Sequence, residues 1–393
     1  MLNTRLADLP NSPFERLGNL LAGVTPPMDP ADMTIGEPQH PYPDWIARDI
    51  HDARNLWGKY APRRGTLPLL QSIAGYLTRR YDLPQGMIEP GRHIVPLTGT
   101  REGLFLIVNL ITPPEKAGKQ PAVLIPNPFY HAYAGAAIAA GAEPVFVSAR
   151  ADTGFLPDPG KLDEDLLART SAFFLCSPAN PQGVFASKDL LRRMIELARQ
   201  HDFVLLLDEC YAEIYTSLPP TGGLEVCAAM GGDMRNVLVF HSLSKRSSAP
   251  GLRSGFVAGD PDILAKFGAF RDYASAIQPL PIQHASATLW NDDSHVEASR
   301  NLYRQKFAVA DRILGQKPGY YTPPGGFFLW LDVGDGIAAA RRLWAEQGVK
   351  ALPGSYLSRD DEFGNPGAEY IRLALVQDLA KTESALTRIA GVI

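Results

Sequence analysis

Lys245 closes the stretch His241-Ser-Leu-Ser-Lys245, directly after the apolar run 237–240, and Arg253 and Gly255 follow closely. A lysine amine attacks carbonyl carbons once a dry or cationic setting lowers its pKa. The ordinary fate of a lysine is a solvated surface. Serine, glycine and arginine around it are instead the groups that surround a phosphate. Asp208-Glu-Cys-Tyr211 ends a second apolar run, 203–207. Ligands of parallel α/β sheets lie beyond the carboxyl ends of strands, which makes Asp208 functional or simply a cap. Leu97-Thr-Gly99-Thr100-Arg101-Glu102 turns a strand into a helix, so backbone N–H groups there would face an anion. Asn180 lies in Cys176-Ser-Pro-Ala-Asn-Pro-Gln-Gly183, and Tyr130 ends Pro126-Asn-Pro-Phe-Tyr130. Taken singly, these two read as a turn and as core packing.

Taken together, the five stretches meet the needs of a pyridoxal cofactor. It requires a lysine for an imine, an anion at the ring nitrogen, a phosphate cradle and a ring-stacking group. Lys245, Asp208, the 99–101 turn with Ser242 and Arg253, and Tyr130 supply these in turn.

The elements that must position them alternate between strand and helix. Apolar runs at 93–97, 122–125, 144–147, 172–176, 203–207, 237–240 and 255–258 predict strands. Helical spacing predicts helices over 45–56, after Thr66, and over 101–111, 130–140 and 188–200. The alternation argues for a mostly parallel sheet flanked by helices, an α/β class. Residues 296–314 and 337–347 read as helices, and 327–333 and 370–375 as strands, of a smaller α+β domain. The expected organisation is 1–45 as an arm and the start of the small domain, 46–290 as the large domain, and 291–393 as the rest of the small one. The first forty residues, rich in Pro, Asn and Gly, read as an arm.

Composition narrows the function classes. The 393 residues are 45% hydrophobic and 20% charged, as in an ordinary globular protein. A net charge of −4 gives no general reason to bind nucleic acid or anionic membrane. No apolar run is long enough for a bilayer, and residues 1–8 hold no signal core. A cytoplasmic setting is expected. Three cysteines suit neither a disulfide framework nor a paired-cysteine metal site.

Along nearly its whole length the chain resembles the fold-type I aminotransferases of class I/II. The motifs are Ile35-Gly-Glu-Pro38, Tyr60-Ala-Pro-Arg-Arg-Gly65, Gly99-Thr-Arg-Glu102, Asn180-Pro-Gln-Gly183, Asp208-Glu-Cys-Tyr211, Ser242-Leu-Ser-Lys245 with Arg253, and Ile371-Arg-Leu373. The resemblance implies a pyridoxal 5′-phosphate enzyme acting on amino acids and 2-oxo acids. In it Lys245 holds the cofactor and moves the substrate proton, and Asp208 pairs with the ring nitrogen. It implies that Tyr211 and Asn180 bond the ring oxygen and that Tyr130 stacks on the ring. Gly99, Thr100, Arg101, Ser242, Ser244 and Arg253 would hold the phosphate. Arg372 would clamp the substrate α-carboxylate near Gly36, and Tyr60 would reach into a neighbouring subunit of a homodimer.

Further stretches are similar to N-succinyldiaminopimelate aminotransferases of bacterial lysine biosynthesis. They include Asp208-Glu-Cys-Tyr-Ala-Glu-Ile-Tyr215, Pro250-Gly-Leu-Arg-Ser-Gly-Phe-Val-Ala-Gly259 and Trp290-Asn-Asp-Asp293. Ala179 and Gln182 depart from that pattern, as does the stretch 271–279. Such enzymes use substrates with a distal carboxylate, for which Arg64, Arg246 and Arg271 are the cations considered. Aminotransferases of other amino acids (aspartate, alanine or aromatic), and the lyases, decarboxylases and synthases that share the cofactor site, stay open as alternatives. A cofactor-sensing regulatory domain would need a DNA-binding module, for which the motifs beginning at Ile35 leave no room.

Overall fold

Seven apolar segments form one sheet in the computed structural model, which describes residues 4–9, 12–274 and 276–393. Residues 1–3 of the N-terminal stretch and Ser275 of the 271–279 stretch lie outside the described residues. In chain order the strands are β1 Ile94–Leu97, β2 Ala122–Asn127, β3 Glu143–Ser148, β4 Thr170–Cys176, β5 Val204–Asp208, β6 Val237–Ser242 and β7 Gly255–Gly259. Across the sheet they run β1-β7-β6-β5-β4-β2-β3. Every neighbouring pair from β3 to β6 is parallel, whereas β7 is antiparallel to both β6 and β1.

The strand sequences explain the layers. Alternate side chains leave a strand on opposite faces. Phe173, Leu175, Leu205, Leu207, Val237 and Val239 enter one core, and Ala172, Phe174, Val204, Leu206, Leu238 and Phe240 enter another. Both faces are dry, so the strands read as unbroken apolar runs rather than alternating ones. Helices Leu67–Tyr81, Lys188–Gln200 and Leu280–Asn291 contribute to the first core, and Thr100–Ile111 and His131–Ala139 to the second.

The C-terminal third adds an antiparallel sheet of β8 Phe328–Asp332, β9 Leu352–Pro353 and β10 Tyr370–Ala374, in the order β9-β10-β8. Helices Ser294–Leu314, Gly336–Gln347 and Leu379–Ala390 share its core. Ala31–Asp32 pairs in parallel with Val349–Lys350, which fastens the early chain to this unit. No helix among the described residues is long and apolar enough to cross a membrane.

The N-terminal forty residues are more than an arm. Pro13–Leu21 is an α-helix, with Pro13 where the missing N–H costs nothing. Its Leu17 and Leu21 are buried with Trp330, Trp344 and Leu352. Two leucines one turn apart are too short a stripe to outweigh the turn residues around them in the sequence. The expected 45–56 helix divides into Trp45–Asp52 and a 3₁₀ turn, Arg54–Leu56.

Candidate active site

The carboxyl ends of β4, β5 and β6 open onto one cavity of about 370 Å³. Asp208 is the last residue of β5, in register with Cys176 of β4 and Phe240 of β6. It is buried, which would be costly for an unsupported charge. Tyr133 supports it: its hydroxyl donates to Asp208 Oδ2 at 2.6 Å, and the ring stacks on Phe174 at 4.2 Å. The backbone N–H of Cys210 donates to Oδ1 at 3.3 Å. Burial, followed by the charge of Asp208, pushes the phenol of Tyr133 well up, so it remains a donor.

Lys245 lies just beyond β6, on the short helical turn Leu243–Arg246. Ser242 caps that turn, accepting from the Ser244 N–H at 3.1 Å. The Lys245 ammonium donates to the Gly36 carbonyl and stands 5.2 Å from the Phe327 ring centre. Burial and the nearby charge of Arg372 bring its pKa down to about 8, against partial opposition from Cys210, Glu37 and Asp208. Gly36 is required by close approach, since a Cβ there would stand 2.6 Å from a Phe328 ring carbon.

Arg372 comes from β10. Its Nη1 donates to Asn180 Oδ1 at 3.0 Å and its Nη2 to the Thr34 carbonyl at 2.6 Å. The guanidinium lies 4.3 Å over the Phe328 ring, and burial lowers its pKa to about 10. Its Nε is buried without a partner, a donor left for something that enters the cavity. Asn180, with its oxygen committed to Arg372, keeps its amide N–H groups for a further acceptor. Tyr211 packs edge-on against Phe327 and Phe328, and burial raises its phenol pKa.

At the other end, Gly99 caps helix Thr100–Ile111 in a left-handed conformation, φ 92°. Arg253 lies alongside it, donating to the Pro250 carbonyl at 2.9 Å. A Cβ on Gly99 would come within 2.1 Å of the guanidinium. Thr100, Arg101, Ser242, Ser244 and Arg253 line this end of the cavity. Because β7 runs backwards, Arg253 enters the sheet on the side where β6 leaves it. Tyr130 also lines the cavity, and Arg101 Nε donates to its hydroxyl at 2.5 Å.

A pyridoxal phosphate fits these residues. A buried carboxylate, a buried lysine of lowered pKa and a helix N-terminus beside an arginine share one cavity.

Other sequence expectations are redirected. Tyr60 is fully exposed and does not line this chain's cavity. Arg246 is buried and bonded to Asp293 at 2.6 Å and to the Leu289 carbonyl at 2.7 Å. Arg271 pairs with Glu102 at 2.7 Å. With their charges already matched, and with Arg64 also off the wall, none of the three arginines faces the cavity. The lining residues that the sequence alone does not single out include Tyr133 and Arg359. Tyr133 carried a signal, three residues past Tyr130 on the same helical face. Arg359 carried none.

Known proteins resemble the chain over its whole length. Residues 29–389 match the family model described as aminotransferase class I and II. An LL-diaminopimelate aminotransferase of Syntrophobacter fumaroxidans is 29% identical, over 98% of this chain and 97% of its own. A solved aminotransferase of Neisseria meningitidis has a TM-score of 0.95 at 39% identity, covering 99% of both chains. Aminotransferase AspB of Helicobacter pylori has a TM-score of 0.90 at 36% identity, covering 97% of this chain and 98% of its own.

Proposed function

The chain belongs to the class I and II aminotransferases, and from that premise we propose that it moves an amino group between N-succinyl-LL-2,6-diaminopimelate and 2-oxoglutarate. Its cofactor is pyridoxal 5′-phosphate. The observation that carries the transaminase roles is the convergence of Lys245, Asp208 and Arg372 on one cavity, with Arg372 Nε still unpartnered. The diaminopimelate part draws on the motif resemblance and on the relative named as an LL-diaminopimelate aminotransferase. That relative also supports a second reading, with free LL-diaminopimelate as the donor. The reading includes a cytoplasmic homodimer in which Tyr60 serves the neighbouring site.

When bound, the cofactor supplies a carbonyl carbon open to amine attack and a ring that withdraws electrons from the substrate Cα. Arg372 binds the substrate α-carboxylate through its free Nε, and its planar fork fixes the orientation. Asp208 offers a negative charge to the ring nitrogen, and Tyr133 keeps that carboxylate aimed. Lys245 Nζ would take the proton from the substrate Cα, hold it and give it up again. Its lowered pKa suits both tasks near neutral pH. Tyr211 and the amide of Asn180, both on the cavity wall, would hold the ring oxygen as donors. Thr100, Arg101, Ser242, Ser244 and Arg253 hold the phosphate beside the helix N-terminus.

The test is a half-reaction. Glutamate added to the holoenzyme should convert the cofactor's absorbance to that of its amine form, with 2-oxoglutarate released. N-succinyl-diaminopimelate should make the same spectral conversion and release its own 2-oxo acid. Spectral silence with every amino acid would end the transaminase roles. Conversion by free LL-diaminopimelate but not by its succinyl form would select the second reading.

A further inference from the structure

Arg359 lines the cavity but has no part in the roles assigned above. Among the described residues it makes no ion pair with a carboxylate; its Nη1 donates to the neighbouring Ser358 carbonyl at 3.0 Å. Its backbone, by contrast, is held at both atoms. Buried Asn127, the last residue of β2, accepts from the Arg359 N–H at 3.0 Å and donates to the Arg359 carbonyl at 2.8 Å. Two residues after Asn127 and two before Arg359, the Phe129 N–H donates to the Leu357 carbonyl at 2.8 Å. The guanidinium then lies 5.3 Å from the Phe129 ring centre.

The following loop is fixed as firmly. Asp361 accepts from Arg150 at 2.6 Å and from Ser148 at the end of β3. Ser358 bonds Asn365 at 2.6 Å. A cation is thus set on the cavity wall by the ends of two strands, without being neutralised there. A second cation is near: Arg16 lies 3.9 Å over the ring of Tyr356, another lining residue. Burial and then the charge of Arg16 lower the pKa of Arg359, against partial opposition from Asp360, so an arriving anion would relieve repulsion as well as gain attraction.

We propose that Arg359 binds the carboxylate at the far end of a dicarboxylic substrate, while Arg372 holds the α-carboxylate. The inference rests on the transaminase reading above and does not depend on which dicarboxylic donor is natural. A preorganised, unpaired cation spends little ordering entropy on binding, and a planar fork suits a carboxylate. Monocarboxylic substrates gain nothing from it.

The experiment compares the wild-type holoenzyme with Arg359→Met and Arg359→Lys, using glutamate and norvaline, which has the same chain length without the distal carboxylate. In Arg359→Met the KM for glutamate should rise tenfold or more, and that for norvaline should stay within twofold. Arg359→Lys should fall between. Equal changes for the two donors, or none for glutamate, would overturn the proposal. Glutarate and pentanoate, which carry no amino group, give a binding arm read from the cofactor's absorbance. Wild type should bind glutarate more tightly, and Arg359→Met should lose that preference; no preference in wild type also overturns it. If these preferences hold but N-succinyl-diaminopimelate is not turned over, the substrate reading alone fails.

Discussion

Asp208 owes its position to a residue outside its own motif. The carboxylate is dry, and the Tyr133 hydroxyl is its one side-chain oxygen donor among the described contacts. Tyr133→Phe keeps the stacking on Phe174 and removes only that bond. A hydrogen bond to a charged group is worth about 1.5–3 kcal/mol, so apoenzyme titration should show cofactor affinity weakened roughly ten- to a hundredfold. Unchanged affinity would detach Tyr133 from the site. Lys245 permits a second prediction, on pH. Only the neutral amine is nucleophilic, and its pKa is held down at about 8 rather than the usual 10.5. The rate at which apoenzyme captures the cofactor should therefore climb through pH 7 and level off above about 8. A stopped-flow profile still climbing toward 10 would show an ordinary lysine. Lys245, Asp208 and Asn180 were legible in the sequence because each sits at or just beyond an apolar run, and Arg372 through the Ile371-Arg-Leu373 motif that the resemblance carries. Tyr133 was legible only as a helical neighbour of Tyr130, and Arg359 was not legible at all, because what brings it to the cavity is contact with Asn127, far away in the chain.

Helix Ser294–Leu314 buries a lysine the reaction does not use. Lys306 Nζ meets His40 Nε2 at 2.7 Å and the Leu375 carbonyl at 3.0 Å, joining the N-terminal segment to the C-terminal unit. With Nε2 accepting from the ammonium, Nδ1 carries the ring hydrogen and donates to Ser299 Oγ at 3.2 Å. Burial, and then the charge of Lys306, bring the His40 pKa from 6.5 down to about 4. Between those values the unfolded chain binds the extra proton and the folded one does not. Stability should therefore fall as pH drops from about 6.5 to about 4, by at most on the order of 3 kcal/mol from this residue. Urea midpoints of wild type and His40→Gln, measured across that range, should show a flatter slope for the variant. Equal slopes would remove His40 from the acid response. Elements like Lys188–Gln200 were legible to the residue, because Ser187 caps the helix and Leu190, Leu191, Met194, Ile195 and Ala198 make one stripe. The direction of β7 was not. A five-residue buried run has the same composition whichever way it points, and only its partners decide.

At the scale of the molecule, Tyr60, proposed to serve a neighbouring subunit's site, lines no site in its own chain. Its ring is fully exposed, with Trp57 and Leu67 also exposed nearby in sequence. The homodimer reading expects sedimentation at twice the mass of one chain, and it expects complementation. Subunits carrying Lys245→Ala alone should be inactive, and Tyr60→Phe subunits should hold the cofactor about tenfold more weakly, the cost of one phosphate hydrogen bond. Hybrid dimers of the two should regain one site with wild-type affinity. Hybrids no better than the separate variants would return Tyr60 to the surface.

The reversed strand also sets a clock. β1 is an edge strand, and β7 is its one partner in the sheet, with Leu97 opposite Gly255. Roughly 160 residues of chain separate the two, which a ribosome adds in roughly 8–30 s. During that interval the turn at 99–101 has no sheet edge to rest on. The lysine, the arginine beside Gly99 and the helix N-terminus can become neighbours only once β7 is there to lie between β1 and β6. Stalled nascent chains should therefore begin to capture the cofactor only at lengths that free Arg253 and β7 from the ribosome.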